Sequence, residues 1–142
     1  MLRRQILVID DDPYVLQILK LCLATMGDFV IQYAPDGPRG LRLAGSSRPD
    51  LILLDYDLPG LDGLETLERL RGEAHLGATP IVAMTGALRL SPRCRELIAR
   101  CDGYIAKPFE FEQLRHSVLK MLTRPPAQSA APDWAEPLPQ GA

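Results

Sequence analysis

Five short apolar runs punctuate this chain: "QILVI" (5–9), "FVIQYA" (29–34), "LILLD" (51–55), "PIVAMTG" (80–86) and "GYIAK" (103–107). Each is bounded by Gly, Pro or Asp and is rich in branched residues, which reads as a strand. Near-continuous apolar character, without a polar alternate, predicts strands covered on both faces. The segments between them change period. Leu16, Leu19, Leu23 and Met26 recur at three and four residues, as do Leu64, Leu67 and Leu70, then Cys94, Leu97, Ile98 and Cys101, and finally Phe111, Leu114, Val118 and Met121. A further helix is expected from about Pro38 to Ala44, weakened by Gly40. Five alternating βα units predict a parallel sheet with helices on each side, because parallel pairing needs a crossover longer than a tight turn. The expected fold class is therefore an α/β three-layer sandwich.

That architecture directs attention to the strand ends, since open α/β sheets bind ligands beyond the carboxyl ends of their strands. Asp10, Asp11 and Asp12 follow the first run, Asp55 and Asp57 the third, Thr85 the fourth, and Lys107 with Pro108 the fifth. Several carboxylates meeting at one rim repel one another, which raises pKa values or recruits a cation. Oxygen ligands without His or thiolate favour a hard ion, and Mg²⁺ is the economical choice. Asp12 has a simpler reading, as an N-cap ahead of Pro13, but a cap does not account for Asp10 and Asp11. Lys107 is one of three lysines against 13 arginines. A lone strand-end lysine is usually a solvated rim charge, whereas opposite Asp55 its compact ammonium suits a single phosphoryl oxygen. The hydroxyl of Thr85 is able to donate to a bound anion.

At 142 residues the chain suits one domain, expected over residues 1–124. From Pro125 onward the sequence "PPAQSAAPDWAEPLPQGA" loses all periodicity, so residues 125–142 are expected to form a disordered tail, which carries Trp134, the only tryptophan. A formal charge of −2 argues against a direct nucleic-acid surface. No apolar run approaches the ~20 residues that span a bilayer, and "MLRRQILVIDDD" is unlike a signal peptide, so a cytoplasmic protein is expected. Cys22, Cys94 and Cys101 are odd in number and lack metal spacing, and are expected to pack as small apolar residues.

The motifs "ILVIDDDP", "LILLDYDLPGLDG", "AMTGA" and "GYIAKPF", in this order and spacing, resemble the receiver domain of bacterial two-component response regulators, over about residues 3 to 124. The resemblance implies a flavodoxin-like (βα)5 fold with strand order 2-1-3-4-5, an order taken from the family and not from the sequence pattern. It implies that Asp55 is the phosphoacceptor, that Asp11 binds Mg²⁺ directly, and that Asp10 acts largely through water. The backbone carbonyl of Asp57 would complete the metal shell, its side chain adding charge to the pocket. Lys107 would contact the phosphoryl group, Thr85 and Tyr104 would form the switch, and the Lys107–Pro108 peptide would be cis. The implied partners are a sensor histidine kinase or phosphotransfer protein, and a downstream target on the face made by the fourth helix, fifth strand and fifth helix. A phosphoacceptor with self-dephosphorylation at most, not a turnover enzyme, is expected.

From the residues alone, Tyr104 reads more readily as a half-buried strand aromatic. Ser91 and Pro92 mark the start of the fourth helix, and Arg89, Arg93 and Arg95 give it a basic surface, usually plain solvation but here a possible partner face. Two other functions compete. "LLDYDLPG" superficially matches the DxD motif of haloacid-dehalogenase-type phosphatases, but those carry it on the first strand and follow it with Thr or Val. A flavodoxin-like nucleotide binder would want a Gly- or Ser-rich phosphate loop, where this chain has "DDDP". The chain is expected to be a stand-alone regulator, a relay intermediate or a fragment of a longer one, and a monomer or a phosphorylation-dependent dimer.

Overall fold

The computed structural model describes residues 3–86 and 91–123. In chain order the elements are β1 (Arg4–Ile9), α1 (Pro13–Ala24), β2 (Phe29–Ala34), α2 (Gly37–Ser47), β3 (Leu51–Asp55), α3 (Gly63–Gly72), a 3-10 turn (Ala74–Leu76), β4 (Ile81–Gly86), α4 (Pro92–Arg100), β5 (Gly103–Lys107) and α5 (Phe111–Leu122). All strand pairs are parallel, in the order β2-β1-β3-β4-β5. The tail with Trp134, and Arg89, lie outside the described residues.

Strand pleating divides the core in two, because successive side chains point to opposite faces. Ile6, Val8, Leu51, Leu53, Val82, Met84 and Ile105 pack with Val15, Leu19 and Leu23 of α1 and Leu114 and Val118 of α5. On the other face, Leu7, Ile9, Ile52, Leu54, Ile81 and Ala83 pack with α2, α3 and α4 through Ala44, Leu64, Leu67, Leu70 and Leu97. The two sheet edges depart from the sequence reading. Most of β2 and β5 is only half-buried, since an edge strand has a neighbour on one side alone, and strand order is not written in the apolar run. β3, at the centre, is buried throughout.

The helix stripes also shift. Val15, not Leu16, is the buried residue of the first turn of α1, and Met26 lies beyond that helix's end. Phe111, expected on the apolar stripe of α5, is 42% exposed because it stands at the first position, before the helix has reached the sheet. The helix starts follow side-chain chemistry: Asp12, Asp36, Asp62 and Ser91 each accept an amide hydrogen bond at the N-cap of α1, α2, α3 and α4. α2 runs longer than expected, and Gly40 lets it approach β1: a Cβ there would stand 2.5 Å from Ile9 Cδ1. Cys94 and Cys101 are buried and Cys22 is half-buried, all three as free thiols.

Candidate functional site

Every strand runs the same way, so the five carboxyl ends share one rim. Residue parity then sorts the polar side chains. Asp55 and Lys107 continue the face of Leu53 and Ile105, toward α1 and α5, whereas Thr85 and Tyr104 continue the face of Ala83, toward α4.

On the first side, carboxylate oxygens of Asp10, Asp11 and Asp55 lie within 4.8 Å of one another. Asp10 is fully buried and Asp55 is 3% exposed, while Asp11 is open to solvent. Lys107 Nζ reaches into this group, 2.6 Å from Asp10 Oδ2 and 3.3 Å from Asp55 Oδ1. The other oxygen of Asp10 accepts the Asp12 amide at 2.9 Å, so Asp10 is engaged on both sides. Asp57 is exposed next to Asp55, and the Lys107–Pro108 peptide is cis.

The electrostatics are strained. Burial, then the charge of Asp10, push the Asp55 carboxyl up from 3.8 to about 7; Lys107 pulls it down and Asp57 adds a smaller upward push. Burial of Lys107 favours its neutral form, but its hydrogen bond to Asp10 and the charges of Asp55 and Asp10 outweigh that, and the ammonium is held above its usual value. One cation thus faces three acids, and the rim carries excess negative charge that a further hard cation would neutralise.

Gly63 fixes the geometry from below. A Cβ at this first residue of α3 would stand 2.6 Å from the Asp55 carbonyl and 2.7 Å from Tyr56 Cα, so α3 abuts the end of β3 only because the side chain is missing. The Gly63 amide donates to the Tyr56 carbonyl at 2.9 Å, closing the turn "YDLPGLD".

On the second side, Thr85 is 3% exposed and its hydroxyl accepts a hydrogen bond from the Cys94 thiol of α4, at 3.7 Å between heavy atoms. Tyr104 is half-buried against the cluster formed with α2, α3 and α4. Arg93, read from sequence as part of a basic surface, is instead paired bidentately with Asp62, Nε to Oδ2 at 2.8 Å and Nη2 to Oδ1 at 3.1 Å. Sequence reasoning also missed the exposed apolar stripe of Tyr14, Ile18 and Leu21 on α1, which begins two residues after Asp12. Its spacing of four and three was visible as a second helical face beside the buried one.

A family model for the response regulator receiver domain matches residues 6–119. The chain belongs to that family. As a receiver domain it is similar to the DNA-binding dual master transcriptional regulator RpaA of Synechocystis, at 33% identity over 96% of this chain and 56% of the relative. It is 37% identical to the response regulator MprA of Mycobacterium tuberculosis, over 92% of this chain and 56% of that protein. The receiver domain thus spans about half the length of these relatives. Among solved structures it resembles a putative response regulator from Chloroflexus aurantiacus (TM-score 0.78, 30% identity, covering 87% of this chain and 100% of that one). It also resembles the receiver domain of the sensor histidine kinase PA1611 from Pseudomonas aeruginosa, which holds a magnesium ion in its active-site cleft (TM-score 0.76, 28% identity, 85% and 98% covered). The phosphatase alternative loses its footing here, because the DxD motif begins at Asp55, the last residue of β3 in a receiver fold, and not on the first strand. Among the described residues no helix is long and apolar enough to cross a membrane.

Proposed function

We propose that this receiver domain takes a phosphoryl group onto Asp55 from the phosphohistidine of a sensor histidine kinase or phosphotransfer protein, in a Mg²⁺-dependent reaction. The observation that carries this reading is the convergence of Asp10, Asp11 and Asp55 within 4.8 Å, with Lys107 3.3 Å from Asp55. An Asp55 oxygen forms a bond to phosphorus as the phosphorus–nitrogen bond of the donor breaks, and the imidazole leaves with the electron pair. The product is an acyl phosphate on the protein itself, so the chain is a phosphoacceptor, with self-dephosphorylation at most, and not a turnover enzyme.

The donor set fits magnesium: oxygen ligands only, at a rim with unbalanced negative charge. Asp11 and Asp55 would bind it directly with the Asp57 carbonyl, and Asp10, already held by Lys107 and the Asp12 amide, would act through water. When bound, Mg²⁺ supplies charge neutralisation at the phosphoryl oxygens and favours ionised Asp55. Lys107, whose Nζ lies 3.3 Å from Asp55 Oδ1, would contact the phosphoryl group as well. Thr85 then turns toward the phosphoryl group, and Tyr104 follows inward, remodelling the α4-β5-α5 face that a downstream protein reads. The donor approaches over α1, where Tyr14, Ile18 and Leu21 expose an apolar stripe leading from the acid rim.

The reading includes a cytoplasmic setting and, given a net charge of −2, no direct nucleic-acid contact by this chain. The domain extends over residues 1–124 with a separate tail from 125 to 142, acting alone, in a relay or within a longer regulator, as a monomer or a phosphorylation-dependent dimer. The test is incubation with a small phosphodonor with and without Mg²⁺, followed by intact-mass measurement. One phosphoryl adduct is expected with Mg²⁺, none after chelation and none in Asp55→Asn; an undiminished adduct in that variant rejects the assignment.

A further inference from the structure

Three side chains at the start of α4 each reach a different part of the phosphoacceptor region. The Cys94 thiol donates to the Thr85 hydroxyl at 3.7 Å. The Ser91 hydroxyl, which caps α4 by accepting the Cys94 amide at 3.1 Å, lies 3.4 Å from the hydroxyl of Tyr56, the neighbour of Asp55. Arg93 grips Asp62, whose Oδ1 also accepts the Glu65 amide as the cap of α3. An arginine in the first turn of a helix faces the positive end of the helix dipole, so its position there depends on an acidic partner. Among the described residues, Cys94 is the partner of the Thr85 hydroxyl, and neither Asp55 nor Lys107 is hydrogen-bonded to it.

We infer that the first turn of α4 is a latch: Cys94 is a positioning residue that holds Thr85 in its resting arrangement, and Arg93 with Ser91 anchors that turn to the phosphoacceptor loop. The inference rests on the reading of Asp55 as phosphoacceptor and adds to it the element that opposes activation. Parity places Thr85 on the α4 side of the sheet and Asp55 on the other, so a hydroxyl that turns toward Asp55 leaves the thiol. Burial raises the Cys94 pKa, keeping the thiol protonated and able to donate at neutral pH. Interactions present only in the resting state lower the affinity for anything that binds the active one.

The test is titration of the full chain with beryllofluoride at fixed Mg²⁺, followed through the amide signals of Thr85 and Tyr104. Cys94→Ala and Arg93→Ala are each expected to tighten the apparent Kd by about three- to tenfold, the loss of one modest hydrogen-bonded restraint. Their double variant should gain less than the product, since both act on one device. Cys94→Ser, which keeps a donor, should return to within about twofold of the original chain. Alkylation of Cys94, mapped by peptide mass, should quicken when beryllofluoride binds. Folded Cys94→Ala and Arg93→Ala variants with unchanged Kd, even if their melting temperatures fall, overturn the latch, as does Cys94 reactivity indifferent to ligand. Failure of the original chain to bind beryllofluoride at all would instead defeat the phosphoacceptor reading.

Discussion

Replacing Asp55 by Asn should stabilise this domain, and the size of the gain should depend on pH in a way fixed by one carboxyl group. Asp55 is 3% exposed, and burial with the charge of Asp10 moves its pKa from 3.8 to about 7. Between those values the folded chain keeps a proton that the unfolded chain has lost. Unfolding releases it, so raising the pH from about 4 to about 7 favours the unfolded state; below that window the group costs nothing, and above it the full penalty applies. At about 1.4 kcal/mol per pKa unit, a shift of roughly three units gives an upper bound near 4 kcal/mol. That shift already includes the pull of Lys107; Asn has nearly the same shape and carries no charge, and relaxation and water around a buried ion bring the expected gain down to about 2 kcal/mol. For a chain of this size that is a rise of roughly 6 °C in Tm. Thermal melts of both proteins in chelator should therefore coincide near pH 4, separate up to about pH 7 and level off by pH 8. Adding Mg²⁺ at pH 8 should raise the original chain more than Asp55→Asn, because ligand binding to the folded state offsets the same penalty. A difference in Tm that stays flat from pH 4 to pH 8 would refute the argument.

Three further perturbations separate structural from chemical roles. Lys107→Ala leaves fully buried Asp10 without the ammonium that stands 2.6 Å away, and should cost about 3 kcal/mol in a urea melt at pH 7, with part of the loss recovered in Mg²⁺. Arg71→Ala removes bonds to the carbonyls of Leu76 and Thr79 and to Asp102 Oδ2, which also accepts the Ile81 amide; at the rim opposite the acids it should cost about 2–4 kcal/mol while phosphodonor labelling stays unchanged. Gly63→Ala forces a methyl against the Asp55 carbonyl, and is expected to cost about 1–3 kcal/mol and to slow labelling, because α3 and the end of β3 must move apart.

Features governed by short-range periodicity could be read before the structure. Strand and helix segments, the Asp12 cap with Pro13 and the Ser91 cap with Pro92 all follow from chemistry within one turn of chain. Edge against centre could not, because "FVIQYA" and "LILLD" look alike until pairing leaves β2 with one neighbour and β3 with two. The acids and the lysine of the rim were visible because parallel strands carry them to the same edge. The ties on α4 were not: Arg93 and Asp62 are 31 positions apart, as are Arg71 and Asp102, and such pairs leave no local pattern. For the same reason Arg93 read as a solvated basic surface, since charge runs do not reveal which member already has a partner.

The two halves of the rim oppose each other energetically. On the α1 side, charge is in excess: burial of Asp55 is sustained by the apolar strand beneath it, where Leu51, Ile52, Leu53 and Leu54 are fully buried and contribute of order 10 kcal/mol before entropy is counted. That reserve covers an upper bound near 4 kcal/mol for Asp55, so the fold tolerates a carboxyl that a cation and a phosphoryl group would each relieve. On the α4 side, the Thr85 oxygen accepts from the Cys94 thiol, a contact that a turn of the hydroxyl toward a phosphoryl oxygen would give up. A hydrogen bond donated by that hydroxyl to a phosphoryl oxygen would more than replace it, because charge-assisted hydrogen bonds are roughly twice as strong as neutral ones and a thiol is a weak donor. On the inference that Cys94 holds Thr85 at rest, a single modest hydrogen bond on one side of the sheet would be outcompeted by charge introduced on the other, and the strength of the Cys94–Thr85 contact, more than the depth of the acid pocket, would set how readily the domain switches.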